Sequence, residues 1–385
     1  PEGTTLYGFP RGYERRNTGV LLDLKAKALA LDDGEHRALL ITIDLLALKD
    51  HFVRRIREGI AAQVEVSADA ILVACTHTHS GPNLESNKNV EVDPSYVDTV
   101  LRNVVEAGTT AFANLTPVTV GLATGRATLC HNRRVLDADG KASSGWQDPA
   151  HEHTGVIDNR VRVLAFKTPA GTVKAMITLY ACHPVVMGPG STKVSSDYPG
   201  YLEEYLEQAF PNAQAMFVNS GGGSANPCVC LGDDPEVARN MGETLGREAE
   251  EAVRNMKTAD VNRLNASTST VELPPSPGQE KKAADRGDEK TEPIRGEIQF
   301  IQLGQDTLIV TAPGELLIEI AHRIERASPF EHTLVFAYTN GYIGYLPPPD
   351  ITDQGGYEVN AAPTHAFQPA VLTALHRFVQ NSEDK

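Results

Sequence analysis

The apolar run Ala70-Ile-Leu-Val-Ala-Cys75, followed at once by Thr76-His77-Thr78-His79-Ser80-Gly81-Pro82, sets the reading of this chain. Six apolar residues in a row, bounded by polar loop sequence, read as a buried strand. Open α/β sheets collect their chemistry in the loops just past the carboxyl ends of strands. Two histidines at i and i+2 of extended chain point the same way, so both can face one metal or one substrate atom. The competing reading is two histidines in a surface loop.

Working outward, 38–46 is a second apolar run typical of a buried strand. The stretch 51–64 puts Phe52, Val53, Ile56 and Ile60 on one helical face, and 94–115 reads as a long helix. Strands are expected at 156–166 and 173–180, paired as a hairpin, and at 215–218, 308–311 and 333–338. Helices are expected at 199–210, 234–256 and 367–379. Asp234-Pro235-Glu236 is a strong helix start, with an Asp cap, a proline in the first turn and an acid at the positive dipole end. Residues 274–293 hold four prolines and nine charged residues, and read as a solvated surface loop. The pattern is an α/β fold, a mixed β-sheet with helices on both faces, and residues 1–385 are expected to form a single domain.

Composition narrows the function. With 35 basic against 50 acidic residues the net charge is −15, which argues against a nucleic-acid or anionic-membrane partner. No apolar run approaches the roughly 20 residues that cross a bilayer. Five scattered cysteines are no disulfide framework. The start Pro1-Glu2-Gly3-Thr4 shows no signal peptide, which leans toward a cytoplasmic setting. The expected partner is a small-molecule substrate.

Further loops carry unusual polar residues. Ala181-Cys182-His183-Pro184 follows strand 173–180, and Ser195-Ser-Asp197-Tyr-Pro-Gly200 lies downstream. Asp197 is readable as a cap, as a group orienting a histidine, or as a ligand for a second ion. Asn219-Ser-Gly-Gly-Gly-Ser224-Ala-Asn226-Pro227 is either a close-approach loop aiming N–H groups at an anion or a flexible connector. No Lys-Ser/Thr follows it, so it is no Walker loop. Thr311-Ala-Pro-Gly-Glu315 is expected to start a helix, with Glu315 as cap or ligand, and Asn340-Gly-Tyr342-Ile-Gly-Tyr345 closes the set. Two imidazoles, a carboxylate and a phenolate would make a zinc shell with room for a water.

These motifs, in this order, resemble the catalytic domain of the neutral/alkaline ceramidases and their smaller bacterial relatives. The resemblance rests on 76–82, on Cys-His-Pro 182–184 with Ser-Asp-Tyr-Pro-Gly 196–200, on Ala-Pro-Gly-Glu 312–315, on 340–345, on Gly-Gly-Tyr-Glu 355–358 and on Cys-His-Asn-Arg-Arg 130–134. It implies a mononuclear zinc amidase with His77, His183, Glu315 and Tyr345 as ligands and His79 beside the metal. It also implies that Arg133 and Tyr357 flank the scissile carbonyl. The family's Gly-Asp-Val-Ser-Pro-Asn is replaced here by Gly-Ser224-Ala-Asn226-Pro. Alignment on the proline puts Asn226 at the serine's position, and a shift of two puts Ser224 there. The β-sandwich that follows the catalytic domain in true ceramidases is expected to be missing.

The expected activity is zinc-dependent hydrolysis of a C–N bond in a small, non-lipid amide. One zinc ion would lower the pKa of a bound water, and His79 would carry the proton to the leaving amine. Asp44 and Asp197 are candidates to orient the imidazoles or, equally, to cap helices or shape loops. The alternatives are a zinc esterase or lactonase on a polar substrate, and a non-catalytic binding protein that keeps the fold.

Overall fold

The computed structural model describes residues 3–9, 15–86, 90–259, 261, 263–286 and 291–383. In chain order the elements begin with β1 (Ala26–Asp32), β2 (Arg37–Ile43), α1 (Asp50–Ala61), β3 (Ile71–Cys75), α2 (Pro94–Ala113) and β4 (Thr119–Arg126). Next come β5 (Cys130–Asn132), β6 (Arg134–Leu136), β7 (Ala142–Ser144), β8 (Arg160–Lys167), β9 (Val173–Tyr180) and α3 (Asp197–Ala209). Then follow β10 (Gln214–Asn219), β11 (Ala225–Pro227), α4 (Pro235–Arg254), β12 (Leu264–Leu273), α5 (Pro277–Arg286), β13 (Ile294–Leu303) and β14 (Thr307–Thr311). The last are β15 (Glu315–Leu316), α6 (Ile318–Ala327), β16 (His332–Phe336), β17 (Tyr345–Leu346), α7 (Tyr357–Ala361) and α8 (Phe367–Glu383).

This is a mixed α/β fold, but hydrogen bonding divides the expected sheet into three larger sheets, β1-β2-β3, β10-β9-β8-β4 and β12-β13-β14-β16, beside the two-stranded pairs β5/β11, β6/β7 and β15/β17. Each contains one parallel pair, β2/β3, β9/β10 or β14/β16, and its other pairs are antiparallel. The middle sheet is buried on both faces, and the period of two sorts its side chains. Leu164, Phe166, Ile177, Leu179, Met216 and Val218 join the core shared with the other two sheets. Val163, Ala165, Met176, Tyr180, Ala215 and Phe217 face the core built with α3 and α4. All five cysteines are free and buried.

Residues 277–286 fold as α5 rather than as loop, with Ala283 buried, and 287–290 of the expected loop lie outside the described residues. Glu315 belongs to the two-residue strand β15, paired in parallel with β17, and α6 starts only at Ile318. Asp234 does cap α4, its side chain accepting from the Glu236 amide. Among the described residues no helix is long and apolar enough to cross a membrane.

The parallel pairs matter most. The carboxyl ends of β2, β3, β9, β10, β14 and β16 feed one region, stitched by main-chain bonds between sheets. Cys75 N donates to Tyr338 O (3.0 Å), Asn340 N to Val73 O (2.8 Å) and Ala337 N to Asn219 O (2.9 Å).

A buried charge group ties β1 to α3. Lys27 Nζ lies 2.9 Å from Glu203 and 2.6 Å from Glu207, and donates to Ala215 O at 2.7 Å. Burial pushes the Glu203 carboxyl up to about 7, against the pull of Lys27. Burial also works against the Lys27 charge, but the two glutamates outweigh it and raise its pKa. The stability Glu203 contributes is therefore present at acid pH and lost as pH rises through about 7. Lys27→Met removes the counter-charge and moves the acid higher still. It is expected to cost about 3 kcal/mol at pH 8 and clearly less at pH 5, as read from urea unfolding at the two pH values.

Candidate active site

His77 and His79 leave β3 in a loop that is not extended, since His77 has φ 71°. The side chains converge all the same. His77 Nδ1 lies 2.7 Å from Leu46 O, and His183 Nδ1 lies 2.7 Å from Gly222 O and 3.2 Å from Ala225 O. A carbonyl can only accept, so each Nδ1 carries a proton, and in the neutral ring each Nε2 presents a lone pair. Both lone pairs face the same atom: Glu315 Oε2 is 3.0 Å from His183 Nε2 and 3.6 Å from His77 Nε2. His79 Nε2 stands 3.3 Å from His77 Nε2, and its Nδ1 is buried with no hydrogen-bond partner.

Lone pairs aimed at a buried carboxylate oxygen at this range repel unless a cation or proton lies among them. The ligand atoms of His77, His79 and His183 fall within 4.8 Å of one another. Burial, helped by Arg133, pushes His183 down to about 4, and burial with its histidine neighbours pushes His79 well below its usual value. Burial acts to raise the Glu315 pKa, and positive charge at the His77 and His183 rings, whether a proton or a bound cation, is what brings it well below the carboxylate range. Neutral imidazoles and an ionised carboxylate suit a divalent first-row ion, so the residues present fit the expected metal.

Tyrosines surround the acid. Tyr342, the first of the motif, donates its hydroxyl to Glu315 Oε1. Tyr345, the expected ligand, accepts from Arg133 Nη2 at 3.0 Å and faces the same carboxylate. The Tyr338 ring stacks on His77 at 4.0 Å. Tyr338 and Asn340 share positive φ with His77, 56° and 54°. Strained backbone of this kind costs of order 1 kcal/mol per residue and gathers at functional sites.

Arg133 is buried and four of its five N–H bonds are committed. Nε donates to Glu358 (2.8 Å), Nη1 to Asn226 Oδ1 (3.0 Å), and Nη2 to Gly223 O (2.9 Å) and Tyr345. One N–H remains for a substrate. Asn226 is equally occupied, since its Nδ2 donates to Trp146 O at 3.0 Å. The Ser224 hydroxyl, by contrast, is fully buried with no partner. Tyr357 stands at the exposed end of this network, 43% exposed, its ring 5.4 Å from that of Tyr345.

Asp44 and Asp197 take the plainer of their two expected roles, shaping a loop and a helix start rather than orienting the imidazoles. Asp44 accepts from Lys25 N and Thr76 Oγ1, which fixes the turn after β2. Asp197 accepts from Met187 N and Tyr198 N, and its carboxyl is pushed up to about 6 by burial. The imidazoles are oriented by main-chain carbonyls instead, which leave no mark on a sequence. Glu358 and Trp146 had been given no role, and Tyr342 only a place in its motif; the pairing of Glu358 with Arg133 and Arg134 spans more than 200 residues.

The glycine run packs more than it cradles. A Cβ on Gly223 would lie 2.6 Å from Glu315 O and 2.8 Å from Leu316 O, both main-chain atoms. Gly223 thus lets the loop after β10, whose Gly222 carbonyl holds His183, touch the Glu315 turn.

The fold and these groups define a mixed α/β protein with a buried three-histidine and carboxylate cluster where three parallel strand pairs end. The family description neutral/alkaline non-lysosomal ceramidase, N-terminal, matches residues 2–258, and the chain belongs to that family. The match holds His77, His79, Arg133, His183, Ser224 and Asn226, while Glu315, Tyr345 and Tyr357 lie beyond it. The neutral ceramidase from Pseudomonas aeruginosa is 17% identical, with 97% of this chain and 71% of that chain covered at a TM-score of 0.78. A solved structure described as a ceramidase complexed with C2 is 18% identical, with 97% and 72% covered at a TM-score of 0.79.

Gly223→Ala is expected to push the Glu315 turn away from His183. It should cost about 2 kcal/mol and weaken binding of zinc added to the purified protein, measured by thermal unfolding and by titration against a zinc-binding dye.

Proposed function

We propose that this protein hydrolyses the C–N bond of a small, non-lipid amide with one zinc ion. Family and fold support an amide hydrolase. The observation that carries the metal is the pair of imidazoles with proton positions fixed by carbonyls and bare nitrogens turned on Glu315. His77, His183 and Glu315 would hold the ion, with Tyr345 beside the carboxylate. Zinc bound there would supply Lewis acidity, bringing a water's pKa toward neutrality.

The chain's own groups divide the rest. His79 is the most open of the three histidines at 9% exposure, and its Nδ1 has no partner among the described residues. A neutral imidazole so placed can take a proton from the attacking water and return it to the leaving nitrogen. The water oxygen bonds to the carbonyl carbon, the C–N bond breaks, and a carboxylic acid and an amine result. The free Arg133 N–H and the Tyr357 hydroxyl would stabilise the charge that grows on the carbonyl oxygen. The Ser224 hydroxyl is a further donor within this wall, whereas Asn226 holds Arg133 and Trp146 in register.

Zinc-loaded protein is expected to carry one ion per chain and to cleave N-acylated small molecules faster than matching esters. His77→Ala or His183→Ala should abolish stoichiometric zinc, measured by mass spectrometry of the metal. Tyr357→Phe should keep the zinc and slow turnover by about 10²-fold. Folded His183→Ala that retains both zinc and activity would remove the basis of this reading.

A further inference from the structure

Three large aromatic side chains stand exposed among the described residues: Tyr7, Trp146 and Tyr357. All three border the cluster. The residues after Tyr7 lie on His79, with the Phe9 ring centroid 4.9 Å away. Tyr357 packs against Tyr345, and Trp146 packs against Tyr357 with ring centroids 5.4 Å apart and planes at 74°. Trp146 is 41% exposed and is the chain's one tryptophan.

Among the described residues the Trp146 indole makes no hydrogen bond. Its contacts with Asn226 Nδ2 (3.0 Å) and Cys230 Sγ (3.3 Å) are made by its main-chain carbonyl. Those bonds fix the loop and leave the indole half in water. The guanidinium carbon of Arg133 lies 5.2 Å from the indole centroid and 5.7 Å from the Tyr357 centroid. The two rings, set edge to face, thus make an open apolar corner whose floor is the guanidinium and the Tyr345 hydroxyl. Exposed indole surface costs free energy until something flat covers it, and a ring laid there gains both dispersion and stacking.

We propose that Trp146 and Tyr357 form the subsite that selects the acyl half of the substrate, and that this half carries a flat, apolar group such as an aromatic ring beside the carbonyl. The assignment rests on the hydrolase reading above, because Arg133 and Tyr357, which that reading sets against the carbonyl, are the groups that Trp146 touches. After hydrolysis the acyl half leaves as an aromatic carboxylate. Its anion faces Arg133 and its ring lies in the corner.

The single tryptophan makes the test direct. Titration of the zinc-loaded wild type with benzoate should change Trp146 emission and saturate, with affinity at least about tenfold above that of acetate. Equal affinity for the two anions, or no change in emission, overturns the subsite. In turnover, the ratio of kcat/KM for N-benzoyl over N-acetyl derivatives of one amine should exceed unity. The ratio should fall about tenfold in Trp146→Ala and be largely kept in Trp146→Phe. Since the anchoring bonds of Trp146 are main-chain, both variants keep them. A ratio unchanged in Trp146→Ala, or both substrates slowed equally, shows that Trp146 only props Arg133, and overturns the proposal. If the wild type cleaves neither amide yet binds benzoate selectively through Trp146, the hydrolase reading fails and the aromatic subsite stands.

Discussion

Two imidazole lone pairs directed at one buried carboxylate oxygen are the constraint on which this architecture turns. His77 and His183 are locked in that attitude by carbonyls of the chain itself, at Leu46, Gly222 and Ala225. Main-chain acceptors cannot donate, so they decide the tautomer as well as the angle. The outcome is a set of donors prepared for a positive charge in a place where water is scarce. Much of the neighbouring oddity follows from it: the left-handed backbone at His77, Tyr338 and Asn340, the glycine against the Glu315 turn, and tyrosines crowding the acid.

Much of the fold could be read from the residues, for an identifiable reason. β3, β9 and α4 have strong local signals, an unbroken apolar run, a run closed by a turn, and a capped helix start. Their boundaries fall close to the expected ones. β1 and β12 were not anticipated, because their alternation is diluted by Lys27 and by Ser and Thr residues whose pairing depends on distant partners. The segment around α5 shows the reverse error. Its proline-rich, charged composition suits a solvated loop, yet Pro277 can sit in a first helical turn and the charges face water while Ala283 is buried.

The site divides in the same way. Histidines and a Glu in loops after apolar runs are visible in one dimension, since the chemistry restricts the residue type. What holds them is not. A carbonyl belongs to every residue, and the Glu358 that neutralises Arg133 and Arg134 looks like any surface acid until α7 is folded against β6 and β7. The carboxylates that seemed suited to steer the imidazoles, Asp44 and Asp197, serve turns and main-chain amides instead.

The long separation of the cluster's members has a consequence for biosynthesis. His183 and Glu315 stand 132 positions apart, and the β15 turn reaches its place only once β14 and β16 have paired. A nascent chain with only the first two sheets complete has two bare imidazoles and no acid between them. The complete set of donors therefore exists only once the final third of the polypeptide has been made.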